Sequence, residues 1–179
     1  MKPSPSAPVP ALETERLRLR GHEANDLSAA FAVWSNPEVV RFIGGTPSTE
    51  QETWMRILRY RGLWSMLGFG FWALEDKATG RYAGEAGFFT RLDLTPSMDG
   101  APELGWTLAP EFHGRGLATE ALRTIQSWGD ARLPRTFCMI EPGNLASLRV
   151  AAKLGYAEKM CTVYKGSSVV LLDRTAPHG

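Results

Sequence analysis

The stretch Glu103 to Ala121, ELGWTLAPEFHGRGLATEA, changes its apolar period halfway along and so dictates its own fold. Glu103 to Ala109 reads as a strand that Pro110 ends; from Gly116 to about Ala131, Leu117, Ala121, Leu122, Ile125 and Trp128 follow the 3.6 period of an amphipathic helix. A helix start leaves its first N–H groups unpaired and carries the positive end of the macrodipole. Gly114 and Gly116 would let that backbone approach an anion closely, with Arg115 adding a mobile charge and Thr119 a hydroxyl. A plain strand-to-helix turn that needs only positive φ would use the same glycines.

Two common phosphate loops are excluded. No Gly-Lys-Ser/Thr ending supplies the lysine and Mg²⁺ hydroxyl of a nucleotide triphosphate site. No GxGxxG occurs either, and no acidic residue at a following strand end is placed for a ribose. What remains is a pyrophosphate cradle attached to a preceding strand.

Around this segment the pattern is of mixed α and β. TERLRLRG alternates Leu17 and Leu19 with arginines, the period of a half-buried strand. Asn25 to Ser35 reads as a helix on Leu27, Ala30, Phe31 and Trp34, capped by Asn25 or Asp26 and stopped by Asn36 and Pro37. Ser48 with Gln51 forms a capping box for a helix to about Met66, with Trp54, Ile57, Leu58 and Leu63 on one side. Phe69–Leu74 and Tyr82–Thr90 are strands joined by the turn DKATG, and residues 91–100 are a polar connection. Arg135–Ile140 is a strand, Asn144–Leu154 a helix closed at Gly155, and Tyr156–Tyr164 with Ser168–Leu172 a hairpin around Lys165 and Gly166. The count is seven strands and four helices, an α+β (mixed α/β) class.

A length of 179 residues fits one domain, placed at 12–175 between a disordered proline-rich leader at 1–11 and a tail at 176–179. The 20 basic and 19 acidic residues give a net charge of +1, which removes the electrostatic case for nucleic acid or a membrane surface. Cys138 and Cys161 lie in apolar stretches and read as buried thiols of a cytoplasmic protein. The leader lacks the apolar core of a signal peptide. His22, His113 and His178 have no partner at ligand spacing, so no metal is expected.

EFHGRGLATEA, followed 28 residues after Gly116 by NLASLRVAAKLGY, resembles the GNAT superfamily of acetyl-CoA-dependent N-acetyltransferases, in particular its RimJ/RimL-like branch of ribosomal-protein N-terminal acetyltransferases. The resemblance spans nearly the whole chain and implies a central, mostly antiparallel twisted sheet. It implies that backbone amides of His113, Gly114, Arg115, Gly116, Leu117 and Ala118 cradle the CoA pyrophosphate, with His113 in place of the usual Gln or Arg. It implies that Trp106, Thr107 and Leu108 pair edge-on with the pantetheine, near Asn144 and Ser147.

Amine acetylation needs a neutral amine, a donor for the oxyanion and a proton for the departing thiolate. The main-chain N–H of Leu108 is the oxyanion candidate by resemblance. Glu103 and Glu85 are the candidate bases, acting directly or through water, although both alternate with apolar residues as solvent-facing acids also would. Glu120 reads as a first-turn charge facing the helix dipole, and Glu111 as an exposed loop acid. Many relatives carry a Tyr acid at the position of Ala151, which leaves Ser147, Tyr156, Tyr164 or water, Ser147 being best placed. A helix cap by Asn144 with an ordinary N3 role for Ser147 is the alternative.

The resemblance puts a wall of the acceptor groove between residues 31 and 72, where Trp34, Trp54, Trp64 and Trp72 lie. Trp34 and Trp54 read first as core. Arg56, Arg59 and Arg61 read first as a solvated face and second as recognition of a carboxylate-bearing acceptor. The expected activity is direct acetyl transfer in a ternary complex to a peptide N-terminus or small amine, by a monomer or homodimer. A weakly catalytic acyl-CoA-binding module and an unrelated nucleotide-phosphate binder are the alternatives.

Overall fold

The computed structural model describes residues 8–177. Among these, one sheet runs in the order β1-β2-β3-β4-β5-β6-β8-β7. Its strands are β1 Leu12–Glu13, β2 Leu17–Arg20, β3 Phe71–Asp76, β4 Tyr82–Phe89, β5 Glu103–Leu108, β6 Arg135–Ile140, β7 Ala157–Tyr164 and β8 Ser167–Thr175. The helices are α1 Leu27–Trp34, α2 Pro37–Val40, α3 Glu50–Leu67, α4 Leu117–Asp130 and α5 Leu145–Lys153. All strand pairs are antiparallel except β5 with β6. The mixed α/β expectation holds, with one strand and one helix more than the pattern count. Strand β1 is too short to show a period, and Asn36, expected only to stop α1, also starts α2 by accepting the Glu38 N–H at 2.9 Å.

Local chemistry moves some boundaries. Helix α3 is capped by Thr49 and Glu52, not Ser48 and Gln51: Thr49 Oγ1 accepts the Glu52 N–H at 3.2 Å, and the Glu52 carboxylate accepts the Thr49 N–H at 2.7 Å. A carboxylate is the stronger acceptor for an unpaired helix N–H. Its buried stripe is Thr53, Ile57, Tyr60 and Trp64, so Leu58 is exposed and Trp54 and Leu63 are half-buried. Glu23 N–H donates to Asp26, fixing the turn ahead of α1. Connection 91–100 is less polar in space than in sequence, because Leu94 and Met98 fold onto Phe137, Val169 and Leu171 as a second small core.

Val9 and Pro10, assigned to the leader, are docked: Val9 packs on the main core and Trp72 Nε1 donates to the Pro10 carbonyl at 2.7 Å. Residues 1–7 of that leader, with His178 and Gly179 of the tail, lie outside the described residues. Cys138 is buried but Cys161 is exposed on the edge strand β7, which corrects the expected buried pair. No helix among the described residues is long and apolar enough to cross a membrane.

On one face of the sheet α4 lies so close that a Cβ on Gly129 would come within 2.7 Å of the Phe88 ring. Helices α1 and α3 cover the other face over β3 and β4. Gly84 lets β4 close on β5: its φ is +145°, and a Cβ there would lie 2.2 Å from the Thr107 carbonyl oxygen. Beyond β5 the sheet splits. Strands β5 and β6 share the single register pair Glu103 with Phe137, supported by Phe137 N–H to Pro102 O at 3.0 Å, and diverge from there.

Candidate active site

The split opens a cleft of about 300 Å³ lined by β5, the end of β6, α3, the start of α5 and Tyr164. Register decides which β5 backbone groups face it. Ala109 N–H donates to Ala83 O at 2.9 Å, and Thr107 lies opposite Glu85 in the same alternation, so those groups bond to β4. The N–H groups of Trp106 and Leu108 therefore point the other way, into the gap. Thr107 reaches the cleft through its side chain alone, a correction to the expectation that its backbone pairs there.

Past β5 the chain makes a 3₁₀ turn, Pro110–Phe112, and enters α4 through Gly114 and Gly116, both left-handed at φ +72° and +77°. The N–H groups of residues 114–119 hydrogen-bond to nothing else among the described residues; the Glu120 N–H, to Gly116 O at 3.1 Å, is the next one paired. Nothing lies within 4 Å of where a Gly114 Cβ would be. An open run of N–H groups at the start of a 14-residue helix fits a diphosphate. His113 does not belong to that run, because its N–H is spent on Pro110 O at 3.0 Å and its Nε2 donates to Leu108 O at 2.8 Å. Its ring braces the turn instead.

Arg16 and Glu120 brace it from beneath. Glu120 accepts Arg16 N at 2.9 Å, Arg16 Nε at 2.7 Å and Thr14 Oγ1 at 2.5 Å, while Arg16 Nη1 donates to Arg115 O at 2.9 Å. Glu120 thus ties the β1–β2 hairpin to the turn, more than a dipole charge. Its pKa is lowered: burial raises it, but the hydrogen bonds from Thr14 and Arg16 outweigh that. No local pattern in the sequence reveals Arg16, whose partners lie about a hundred positions away.

Asn144 and Ser147 both line the cleft. Asn144 caps α5 by accepting the Ser147 N–H at 3.1 Å, so the capping role is real and coexists with a position at the site. Ala151 is fully buried in the core. Tyr156 is ruled out as an acid at this cleft: it is buried away from it, with its hydroxyl 2.6 Å from Thr136 Oγ1. Tyr164 does line the cleft.

Glu103, 5% exposed, is the carboxylate on the cleft wall. Burial pushes its pKa up to about 7, against the opposing charge and hydrogen bond of Arg91, whose Nε donates to Oε2 at 2.5 Å. Arg91 Nη1 also donates to Tyr164 Oη at 2.5 Å, and that hydroxyl donates to Asp93 at 2.8 Å. The chain Glu103, Arg91, Tyr164, Asp93 runs from the cleft to solvent. Arg91 lies in the polar connection, where sequence offers no cue to its partner.

Glu85 is in a different situation. It is fully buried, accepting Trp34 Nε1 at 3.1 Å, Tyr82 Oη at 2.8 Å and the Tyr60 hydroxyl, with His22 Nε2 at 3.5 Å. Burial would raise its pKa, but the interactions with His22 and Tyr60 and the charge of Arg56 hold it low. A saturated carboxylate beneath the cleft wall takes no substrate proton. Glu85 positions Tyr60 and Trp34, and both of those line the cleft.

Of the tryptophans, Trp64 and Trp72 are core and Trp54 is half-buried, while Trp34 is buried with one face toward the cleft. Tyr60 stacks on Phe71 with ring centroids 4.5 Å apart. Arg56 and Arg59 share the cleft side of α3 with Tyr60, as the i, i+3, i+4 spacing requires. Arg61 points elsewhere, toward Gly21.

Residues 16–157 match the family model of the acetyltransferase (GNAT) domain. The N-acetyltransferase YoaA of Bacillus subtilis (strain 168), itself uncharacterized, is 30% identical over 84% of this chain and 84% of its own. A Bordetella pertussis protein assigned to the GnaT acetyltransferase family superposes with a TM-score of 0.80 at 32% identity, covering 92% of this chain and 99% of that one. RimL, a ribosomal L7/L12 alpha-N-protein acetyltransferase in complex with coenzyme A, superposes with a TM-score of 0.76 over 93% of this chain and 98% of its own. At 18% identity that last likeness is one of fold.

Proposed function

The chain belongs to the acetyltransferase (GNAT) family, and from that premise we propose that it carries acetyl from acetyl-CoA directly to a primary amine, in a ternary complex within the cleft beside β5. One observation carries this reading: the outward N–H groups of Trp106 and Leu108 lead along a gap in the sheet to the unpaired N–H groups of residues 114–119.

Acetyl-CoA supplies the activated acyl group; the chain supplies donors, a base and shape. Gly114, Arg115, Gly116, Leu117, Ala118 and Thr119 hold the diphosphate through their N–H groups, and Arg115 covers it. Trp106 and Leu108 bond to the pantetheine arm, with Asn144 and Ser147 on its far side. The Leu108 N–H faces the thioester oxygen and stabilises the negative charge that grows there as the amine attacks. Glu103 receives the proton of the incoming ammonium group, directly or through one water; a carboxyl with a pKa of about 7 is matched to that task near neutrality. The Ser147 hydroxyl delivers a proton to the departing sulfur and recovers one from the nitrogen as the amide forms, directly or through water.

The test is a thiol-release assay with acetyl-CoA and a panel of peptide N-termini, amino acids and other small amines, alongside calorimetric binding of acetyl-CoA. Turnover on at least one primary amine is expected. Tight binding with no turnover on any amine would overturn the reading, as would equal competition by ATP or NAD.

A further inference from the structure

The acceptor half of the cleft is cationic in a way the acetyl donor does not explain. Three arginines line it, and one of them, Arg91, is neutralised by Glu103. The other two make no such ion pair. Arg56 and Arg59 have no carboxylate within 4.0 Å among the described residues, whereas Arg16, Arg20, Arg135 and Arg174 are each paired. Arg56 is also held in place, its Cζ 3.5 Å from the centroid of the Trp34 ring, and its Nε is buried with no hydrogen-bond partner. Arg59 Cζ lies 5.6 Å from the Tyr60 ring centroid. A buried donor left unpaired costs stability unless something else pairs with it. Arg56 feels the charges of Glu52 and Glu85 and the Tyr60 hydroxyl but makes no ion pair with either acid, and Glu85 is itself sealed behind the wall by Tyr60, Tyr82 and Trp34.

A bare ammonium ion would be repelled from two guanidinium groups that have no ion-pair partner among the described residues. An amine that also carries an anion would be drawn in by them, and the same two charges would then favour release of its ammonium proton toward Glu103. The cavity, about 300 Å³, is small, and Tyr60, Phe71 and Phe89 give it aromatic walls suited to an apolar body. We propose that the acceptor is a small primary amine bearing a carboxylate, with Arg56 and Arg59 as the residues that bind that carboxylate. This rests on the transferase reading above and names its substrate class.

The test compares 4-(aminomethyl)benzoate with 4-methylbenzylamine, which present the same benzylic amine with and without the carboxylate, by thiol release. The carboxylate acceptor is expected to have a kcat/KM at least about tenfold higher, mainly through KM, with the preference weakening as salt rises. In Arg56→Gln, and separately in Arg59→Gln, whose side chain is exposed enough for the fold to tolerate the change, the ratio is expected to fall toward one. A third arm, peptides starting Ser-Glu or Ser-Lys, distinguishes a free small carboxylate from an acidic side chain in a protein N-terminus; a larger preference within the peptide pair than within the benzylic pair would overturn the assignment to a small acceptor. A wild-type ratio near one, or a tenfold ratio that survives both substitutions, would also overturn the proposal. If no amine is acetylated, the transferase reading fails, and calorimetric binding of the same benzylic pair to the CoA-loaded protein decides the carboxylate proposal by itself.

Discussion

Arg91 meets Glu103 through its Nε, 2.5 Å from Oε2, on the wall where the acceptor amine would enter. Burial drives the Glu103 pKa up and Arg91 draws it down, leaving it at about 7. A base must be unprotonated to act, so kcat/KM is expected to rise with pH through a midpoint near 7. Removing Arg91 removes a pull toward the charged form, so Arg91→Gln should move that midpoint upward, while Glu103→Gln should lower kcat and abolish the limb with little change in acetyl-CoA affinity. Acceptors of different amine pKa separate the enzyme's limb, which stays in place, from the substrate's, which moves.

Gly116 enters α4 at φ +77° with only Arg16 Nη2 near its absent Cβ, at 3.7 Å. Gly116→Glu puts bulk and negative charge against the diphosphate and should abolish acetyl-CoA binding by calorimetry. Gly116→Asn tolerates the left-handed backbone better and should retain measurable binding. Equal affinity in wild type and Gly116→Glu would remove the diphosphate from this turn.

Much of this was legible beforehand. The period switch around Pro110, the alternation of Leu17 with Leu19 and the cap at Asn144 are local patterns, and each element stands where they put it. The pairing of side chains across the fold was not legible. Glu103 and Glu85 have the same appearance in sequence, flanked by apolar residues, yet one lines a cleft and the other is enclosed by Tyr60, Tyr82, Trp34 and His22. Arg56 and Arg61 look like one basic run, but the helix sends them to different sides.

Glu85→Gln replaces a charged acceptor with an amide in front of buried hydroxyl and indole donors. We expect a loss of about 2 kcal/mol and a fall in Tm of roughly 4–8 °C. Because the carboxyl pKa is lowered in the fold, its contribution is present above the unfolded value of 4.5 and fades as pH falls below it. The variant should therefore lose part of the wild type's acid sensitivity, measured as Tm against pH. An unchanged Tm would show that the network does not support the wall.

Arg16 neutralises Glu120 directly under the turn. Arg16→Met should weaken acetyl-CoA binding about tenfold, or ~1.4 kcal/mol, by exposing the diphosphate to an unpaired carboxylate. Adding Glu120→Gln should restore most of the loss. Failure of the second substitution to rescue would assign the effect of the first to the shape of the turn.

Joined at a single rung, β5 and β6 behave as the facing edges of two half-sheets. The amides of Trp106 and Leu108 should therefore trade hydrogen for deuterium at rates typical of a frayed loop, although they sit mid-sheet. A thioester chain laid along that edge acts as a missing strand, and its arrival should be recorded as protection at those two amides before any acetyl group has moved.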